Sequence, residues 1–297
     1  MELEPLLSSP PLPSNRWWTR KDTTAIVSGA NKGIGYALVK RLAELGVSHV
    51  ILTARDEEKG KRAVGSLREE GLDNVHFSCL DVSHHSSIKT FVSWFKEEFG
   101  VLDILVNNAA VSFNEINENT VEHAETVIKT NFYGAKMLTE ALLPMFRYST
   151  NSMSRILNIS SRLGSINKVK NPSIKRLLQS ESLQEEHIDD MVSLFIENVR
   201  NGTWEKQGWP QVWTDYAVSK LALNAYSRVL ARRFEGRDLC VICFCPGFTK
   251  TSMTRGKGTH TAIDAAEAGA RLLLLPHENV PTGKFLGLLA AATNSKL

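Results

Sequence analysis

Residues 25–38, AIVSGANKGIGYAL, decide the fold of this chain. Small and aliphatic residues ahead of Ser28 read as the end of a buried strand. Gly29, Gly33 and Gly35 follow at the spacing GxxxGxG, and an apolar helical pattern begins behind them. Glycine lets a backbone turn sharply and approach a ligand closely, and the free N–H groups at the start of the next helix favour a phosphate there. The spacing is a variant of the strand-to-helix turn that receives the pyrophosphate of a dinucleotide. Ser28, Gly29, Asn31, Lys32, Gly33, Ile34 and Gly35 are the expected residues of that turn.

The chain around this turn keeps the matching rhythm. TTAIVSGA leads into IGYALVKRLAELG, HVILTAR into DEEKGKRAVGSLREEG, and VHFSCLDV into SSIKTFVSWFKEEFG; LDILVNNAA, RILNISS, LCVICFCPG and GKFLG read as further strands. Strands alternating with helices predict right-handed βαβ units, and near-continuous apolar strands predict burial on both faces. The expected fold is α/β: a Rossmann-type, doubly wound, mostly parallel sheet of about seven strands with helices on both faces. Residues 1–21 read as a flexible tail, apart from Trp17 and Trp18, which suit packing under a sheet edge. Residues 22–297 read as one domain. The polar, helix-prone stretch between Ser161 and Tyr216 is too long for a plain connection, so 164–213 is expected to be a helical insertion that serves as a lid or binding element.

Composition excludes several classes of function. Lys and Arg total 35 against 32 Asp and Glu, and a formal charge of +3 is too small and dispersed for nucleic-acid or membrane binding by bulk electrostatics. The opening MELEPLLSSPPLPSNRWW has acids where a signal peptide is basic and prolines where its apolar core runs. No apolar run approaches the roughly 20 residues of a membrane helix. The cysteines at 79, 240, 243 and 245 do not suggest a metal site: on a strand Cys243 and Cys245 share a face that Cys240 does not, and no histidine completes a tetrahedral set. Reduced thiols and a cytoplasmic location are expected.

At the end of the second strand, where an acid would bind the ribose hydroxyls of NAD, the chain reads VILTARD. Arg55 there suits the 2′-phosphate of NADP, with Lys32 and Lys59 adding positive charge. Asp56 is either a ribose ligand or a helix cap. Asp81, with Val82 beside it, either meets the adenine or caps the next helix. Asn107 is expected to fix the backbone after the fourth strand, where Asn108, Ala109 and Ala110 leave room for a cofactor. Pro246 and Gly247 turn the chain toward the nicotinamide, with Phe248, Thr249 and Thr251 in reach, and the following residues read as a mobile substrate loop.

YAVSK, residues 216–220, places Tyr216 and Lys220 one helical turn apart on the same face. A phenol titrates near about 10, so it needs a neighbouring cation to ionise easily near neutrality. SGANKGIG, LDV, NNAA, the Asn of KTNFYGA, NISS, YAVSK and CPGFTKT occur in this order over nearly all of the chain after residue 22. Together they resemble the short-chain dehydrogenases/reductases. Within that family the chain is similar to the monomeric carbonyl-reductase branch and its plant members of the neomenthol-dehydrogenase and salutaridine-reductase type, which share the long insertion.

The resemblance implies a catalytic tetrad of Asn131, Ser161, Tyr216 and Lys220. Ketone reduction needs a hydride donor at the carbonyl carbon and a proton donor at its oxygen. Tyr216 would give the proton, Ser161 would hold the oxygen, and Lys220 would lower the tyrosine pKa and bind the nicotinamide ribose. Asn131 would hold a water that relays protons, or serve as an ordinary buried amide. Ser160 competes with Ser161, and the family motif favours the second. Expected cofactor and substrate are NADP(H) and a small, fairly apolar carbonyl compound or alcohol, with Phe113, Trp209, Trp213 and Phe248 as pocket walls or core. An ene reductase and a non-catalytic NADP-binding sensor are the rival readings. The insertion implies a monomer. Ala110, where the family carries Gly, adds a methyl beside the cofactor.

Overall fold

The computed structural model describes residues 3–6, 12, 14, 16–113, 119–149 and 152–288. Among them the strands are β1 (Leu3–Leu6), β2 (Thr24–Val27), β3 (His49–Ala54), β4 (Val75–Cys79), β5 (Ile104–Asn107), β6 (Tyr148–Ser149), β7 (Ser152–Ile159), β8 (Leu239–Cys245) and β9 (Phe285–Leu288). The helices are α1 (Gly33–Glu44), α2 (Glu57–Glu69), α3 (His85–Glu98), α4 (Val121–Ile128), α5 (Gly134–Leu142), α6 (Pro172–Gln179), α7 (Glu185–Arg200), α8 (Thr214–Arg233) and α9 (Ala262–Leu273). Strands lie in the order β4, β3, β2, β5, β7, β8, β9, β1, all parallel, and β6 pairs antiparallel with β7.

Strand periodicity divides the core in two. Ile26, Ile51, Leu105, Ile156 and Val241 face one layer, with apolar residues of α3, α4, α5 and α8. Their neighbours Val27, Leu52, Val106, Leu157 and Ile242 face the other, with α1, α2 and α9. Successive residues of a strand point to opposite faces, so both layers draw on the same apolar runs. The seven strands from β4 to β9 in the parallel sheet are the expected Rossmann-type set. Their order reverses between β2 and β5, and in open α/β sheets the crevice beyond the carboxyl ends at such a reversal receives the ligand.

The flexible-tail expectation for residues 1–21 is corrected at Leu3–Leu6, whereas Trp18, set apart from the tail, is packed as expected. Leu3–Leu6 pair with Phe285–Leu288 as an added edge strand, and Trp17–Thr19 form a short turn in which Trp18 is fully buried. Trp18 packs with the α1 and α9 layer and donates its indole N–H to Leu45 O at 2.9 Å. Most of the remaining residues before 16, and residues 289–297, lie outside the described residues.

Between Ser161 and Tyr216 the chain makes α6 and α7. Asn171 caps α6, accepting from Ser173 and Ile174 N–H, with Pro172 in the first turn. Gln184 and His187 form a reciprocal cap on α7. Ion pairs then dock this segment: Lys136 of α5 reaches Asp189 at 2.8 Å and Glu185 at 3.3 Å, and Arg233 of α8 reaches Glu185 at 3.2 Å. Beneath them Ile188, Met191, Val192 and Phe195 join the core shared with α4 and α8. Trp209 is fully buried there, edge-on to Phe195, with its N–H on Asn198 Oδ1 at 2.9 Å.

Candidate active site

The glycine turn leaves β2 at the reversal of strand order. Gly29 and Gly33 have φ of 62° and 61°, a left-handed backbone that disfavours other residues. A Cβ on Gly29 would lie 2.7 Å from Ala109 Cα, so the turn and the chain after β5 touch backbone to backbone. Ser28 joins them: its hydroxyl donates to Val106 O at 3.2 Å and accepts from Asn108 and Ala109 N–H at 3.0 and 3.1 Å. Asn108 returns its amide N–H groups to Ser28 O and Gly29 O at 2.9 and 3.0 Å. A Cβ on Gly35 would meet Asn108 Nδ2 at 2.5 Å, so that glycine makes room for the brace.

One cavity of about 800 Å³ opens at this turn, within the usual size range of ligand sites. Gly29, Asn31, Lys32, Gly33 and Ile34 line it, whereas Ser28 and Gly35 stand behind the wall. Asn108, Ala109, Ala110, Asp81 and Val82 also line it. The expectation that Asn107 fixes the turn is corrected: Asn107 points away, to Thr139 Oγ1 and Asn158 Oδ1, because adjacent residues at a strand end face opposite ways.

Arg55 lines the same cavity, with no ion pair or side-chain hydrogen bond among the described residues. Lys59 does not line it, contrary to expectation; its ammonium pairs with Asp56 at 2.6 Å, one helical turn away. Asp56 also accepts from Lys59 N–H as the cap of α2, which settles its role in favour of the cap. Asp81 accepts from the Ser83 N–H and hydroxyl, while His84 is the residue that precedes α3. Burial works against ionising Asp81, but the Ser83 hydrogen bonds and nearby His84 outweigh it and hold its pKa below the ordinary value.

At the opposite end, β7 and α8 deliver the remaining groups. Ser161 caps the short turn Arg162–Gly164 by accepting from Leu163 N–H at 3.2 Å, and its side chain stands beside that of Tyr216. Ser160 is turned inward onto Asn224 Oδ1, which leaves Ser161 as the serine beside Tyr216. Lys220 Nζ donates to Ile159 O at 2.7 Å and lies 5.6 Å from the centre of the Tyr216 ring. Asn131 falls in a π-helical turn between α4 and α5; such turns are frequent at functional sites. Its Oδ1 accepts from Val111 N–H, and its Nδ2 donates to Val111 O and Ser219 Oγ, so both amide hydrogens are engaged. Asn131 does not line the cavity, and its side chain ties α8 to the chain after β5.

Burial dominates the electrostatics of the pair. Burial is the dominant influence on Tyr216, and with nearby Cys245 it raises the phenol pKa well above 10, with the neighbouring Ser161 hydroxyl opposing. Burial likewise lowers Lys220 from 10.5 to about 8, with Cys243 and Cys245 opposing. In the chain itself burial outweighs what Lys220 does for the phenolate. The phenol keeps its proton, and the lysine is charged only below about pH 8.

Val111, Phe113, Leu163, Val212, Trp213 and Met253 form an apolar wall beside these groups. Phe113 stacks on His123 with ring centres 3.9 Å apart. Trp213 stands edge-on to Tyr216 at 6.2 Å, in a left-handed conformation with φ of 50°. Strain of that kind persists where the surrounding structure enforces it, and no sequence signal announces it at a tryptophan. Trp209 belongs to the core instead. Pro246, Gly247, Phe248, Thr249 and Thr251 complete the wall. The loop expected to be mobile is tied at its base by Lys250 N–H to His260 O and Thr259 N–H to Phe248 O. Arg162, which the sequence reading passed over, lines the cavity directly after Ser161.

Fold and site together define a nucleotide-binding enzyme with a buried acid and cation beside an apolar substrate space. The chain belongs to the short-chain dehydrogenase family, whose sequence pattern matches residues 23–174. It is 36% identical to (+)-neomenthol dehydrogenase of Arabidopsis thaliana, over 88% of this chain and 94% of the relative. It is 35% identical to carbonyl reductase [NADPH] 1 of Mus musculus, over 88% of this chain and 95% of the relative. The solved structure of salutaridine reductase from Papaver somniferum superposes with a TM-score of 0.82 at 34% identity, covering 90% of this chain and 99% of that one.

Because the folded-state pKa of Lys220 lies below its unfolded value, the cost of burying its charge is fully present below about pH 8 and is relieved between there and 10.5. Urea unfolding should show the wild-type chain gaining stability relative to Lys220→Met as pH rises through that window. A constant difference would contradict a buried lysine with a lowered pKa.

Proposed function

We propose that this chain reduces a ketone or aldehyde with NADPH, reversibly, on a small and fairly apolar substrate such as a terpenoid or alkaloid ketone. The observation that carries the proposal is the convergence of Tyr216, Ser161 and Lys220 in one apolar-walled cavity with the glycine turn and unpaired Arg55. Relatives named as neomenthol dehydrogenase and NADPH-dependent carbonyl reductase support it.

The cavity suits a dinucleotide along its whole length. Arg55 and Lys32 would hold the 2′-phosphate, the N–H groups at Gly33–Ile34 the pyrophosphate, and Asp81 and Val82 the adenine end. Ala109, Ala110 and the segment 246–251 would flank the nicotinamide, with Lys220 on its ribose. When bound, the nicotinamide supplies the hydride for the carbonyl carbon. Tyr216 keeps its proton because burial disfavours the phenolate, so it stands ready as a donor at neutral pH. Ser161 offers a second hydrogen bond to the carbonyl oxygen as negative charge develops. Lys220, cationic below about pH 8, offsets the phenolate charge once the proton has left. Asn131 acts as a positioning residue that fixes α8 through Ser219. The ene-reductase and sensor readings have no observation in their favour, since Tyr216 is present and placed beside Ser161.

With its cysteines free, the enzyme is proposed to work in a reducing compartment, the cytoplasm. Among the described residues no helix is long and apolar enough to cross a membrane. Because α7 packs across α4 and α8, we also propose a monomer. Light scattering should give the mass of one chain, and a dimer or tetramer mass would contradict this.

Tyr216→Phe should lower NADPH-dependent ketone reduction by at least about 100-fold, as for removal of a general acid, while NADPH binding followed by fluorescence changes little. Equal activity in the two proteins would remove Tyr216 from the chemistry. Arg55→Ala should raise KM for NADPH far more than for NADH, and an unchanged ratio would show that Arg55 does not read the 2′-phosphate.

A further inference from the structure

Five charged residues line the cavity: Lys32, Arg55, Asp81, Arg162 and Lys220. Lys32, Arg55 and Asp81 belong to the nucleotide end by their position on the glycine turn and in the chain after β3 and after β4. Lys220 is committed to Ile159 O. Arg162 has no such assignment. It follows Ser161 directly, and its backbone N–H donates to Cys245 Sγ at 3.2 Å, which pins the residue across the end of β8. Its guanidinium is exposed and has no hydrogen bond or ion pair among the described residues. Burial raises the Cys245 thiol, and the charge of Arg162 is among the influences that oppose the rise, which places that charge near a cavity-lining sulfur.

Around it the wall mixes apolar residues with serine and threonine hydroxyls and carries no acid, and Asp81 at the far end is the one carboxylate of the described wall. A neutral apolar ketone beside the exposed guanidinium would return no hydrogen bond for any water it displaced, which is unfavourable for a charged group. A carboxylate would return two, since the planar fork of arginine matches it in a bidentate, charge-assisted pair that lysine cannot reproduce.

We propose that Arg162 is a specificity-determining residue that binds a carboxylate carried by the substrate, so that the enzyme takes carbonyl compounds with an apolar body and one acidic group. The inference rests on the reductase reading and deepens it. The apolar wall holds the body, Ser161 and Tyr216 meet the carbonyl, and Arg162 fixes the acidic end.

The test compares 4-carboxybenzaldehyde with its methyl ester, near-isosteres that differ in charge, as substrates with NADPH at pH 7. kcat/KM is measured for the wild-type chain, Arg162→Gln and Arg162→Lys. The acid-to-ester ratio should fall at least about tenfold in Arg162→Gln, the usual worth of a hydrogen bond to a charged group, mainly through KM. Arg162→Lys should fall between the two. A ratio in Arg162→Gln within about twofold of wild type would overturn the inference and leave the reductase reading standing. Reduction of neither aldehyde by the wild-type chain would contradict the reductase reading itself and the inference with it.

Discussion

The hydrogen bonds of Asn108 to Ser28 O and Gly29 O hold the site together, because they join β2 to β5 where the order of the sheet reverses. Parallel strands diverge into separate loops at their carboxyl ends, and a crevice at the reversal keeps its shape only if those loops are fixed to one another. Ser28 supplies the complementary bonds from the other side. The left-handed Gly29 and the close approach of Ala109 follow from that brace, as does the absence of a side chain at Gly35. The Ser28 hydroxyl is the group on which these bonds depend.

The chemistry end relies on a second constraint, the burial of α8 on nearly every side. A helix hydrophobic all round would be free to rotate in its core, whereas this one carries polar residues that fix it. Ser219 meets Asn131, Asn224 meets Ser160 and the Gly164 carbonyl, and Ser227 meets Asn158. Each buried polar group is satisfied by a different neighbouring element, so rotation or sliding would break several hydrogen bonds at once. Tyr216 and Lys220 inherit that fixed setting. The same burial moves both of their pKa values, which keeps the proton on the phenol and makes the lysine charge sensitive to pH just above neutrality.

Much of this was legible in the sequence because it rests on local patterns. Alternating apolar strands and helices gave the doubly wound sheet, and the ordered motifs brought Ser161, Tyr216 and Lys220 to one cavity. Strands β1 and β6 escaped because they owe their form to pairing with a neighbour rather than to a pattern of their own. Asn107 and Asn108 differ only in which face a strand end presents. Trp209 and Trp213, four positions apart, part company through tertiary packing, one under α7 and the other over Tyr216. The burial that dominates the pKa values of Tyr216 and Lys220 was not legible, because spacing reports proximity and says nothing of desolvation. Lys59 was misread more avoidably, since Asp56 stands three residues before it on the same helix turn.

The central claim is that the brace at the crossover and the buried acid on α8 form one working reductase rather than a nucleotide-binding shell. Its most direct test follows NADPH absorbance and product together while the wild-type chain is offered a panel of ketones and aldehydes. The account predicts oxidation of NADPH matched mole for mole by an alcohol, dependent on both protein and carbonyl compound. Tight NADPH binding with no turnover of any carbonyl, Tyr216 being intact, would contradict it.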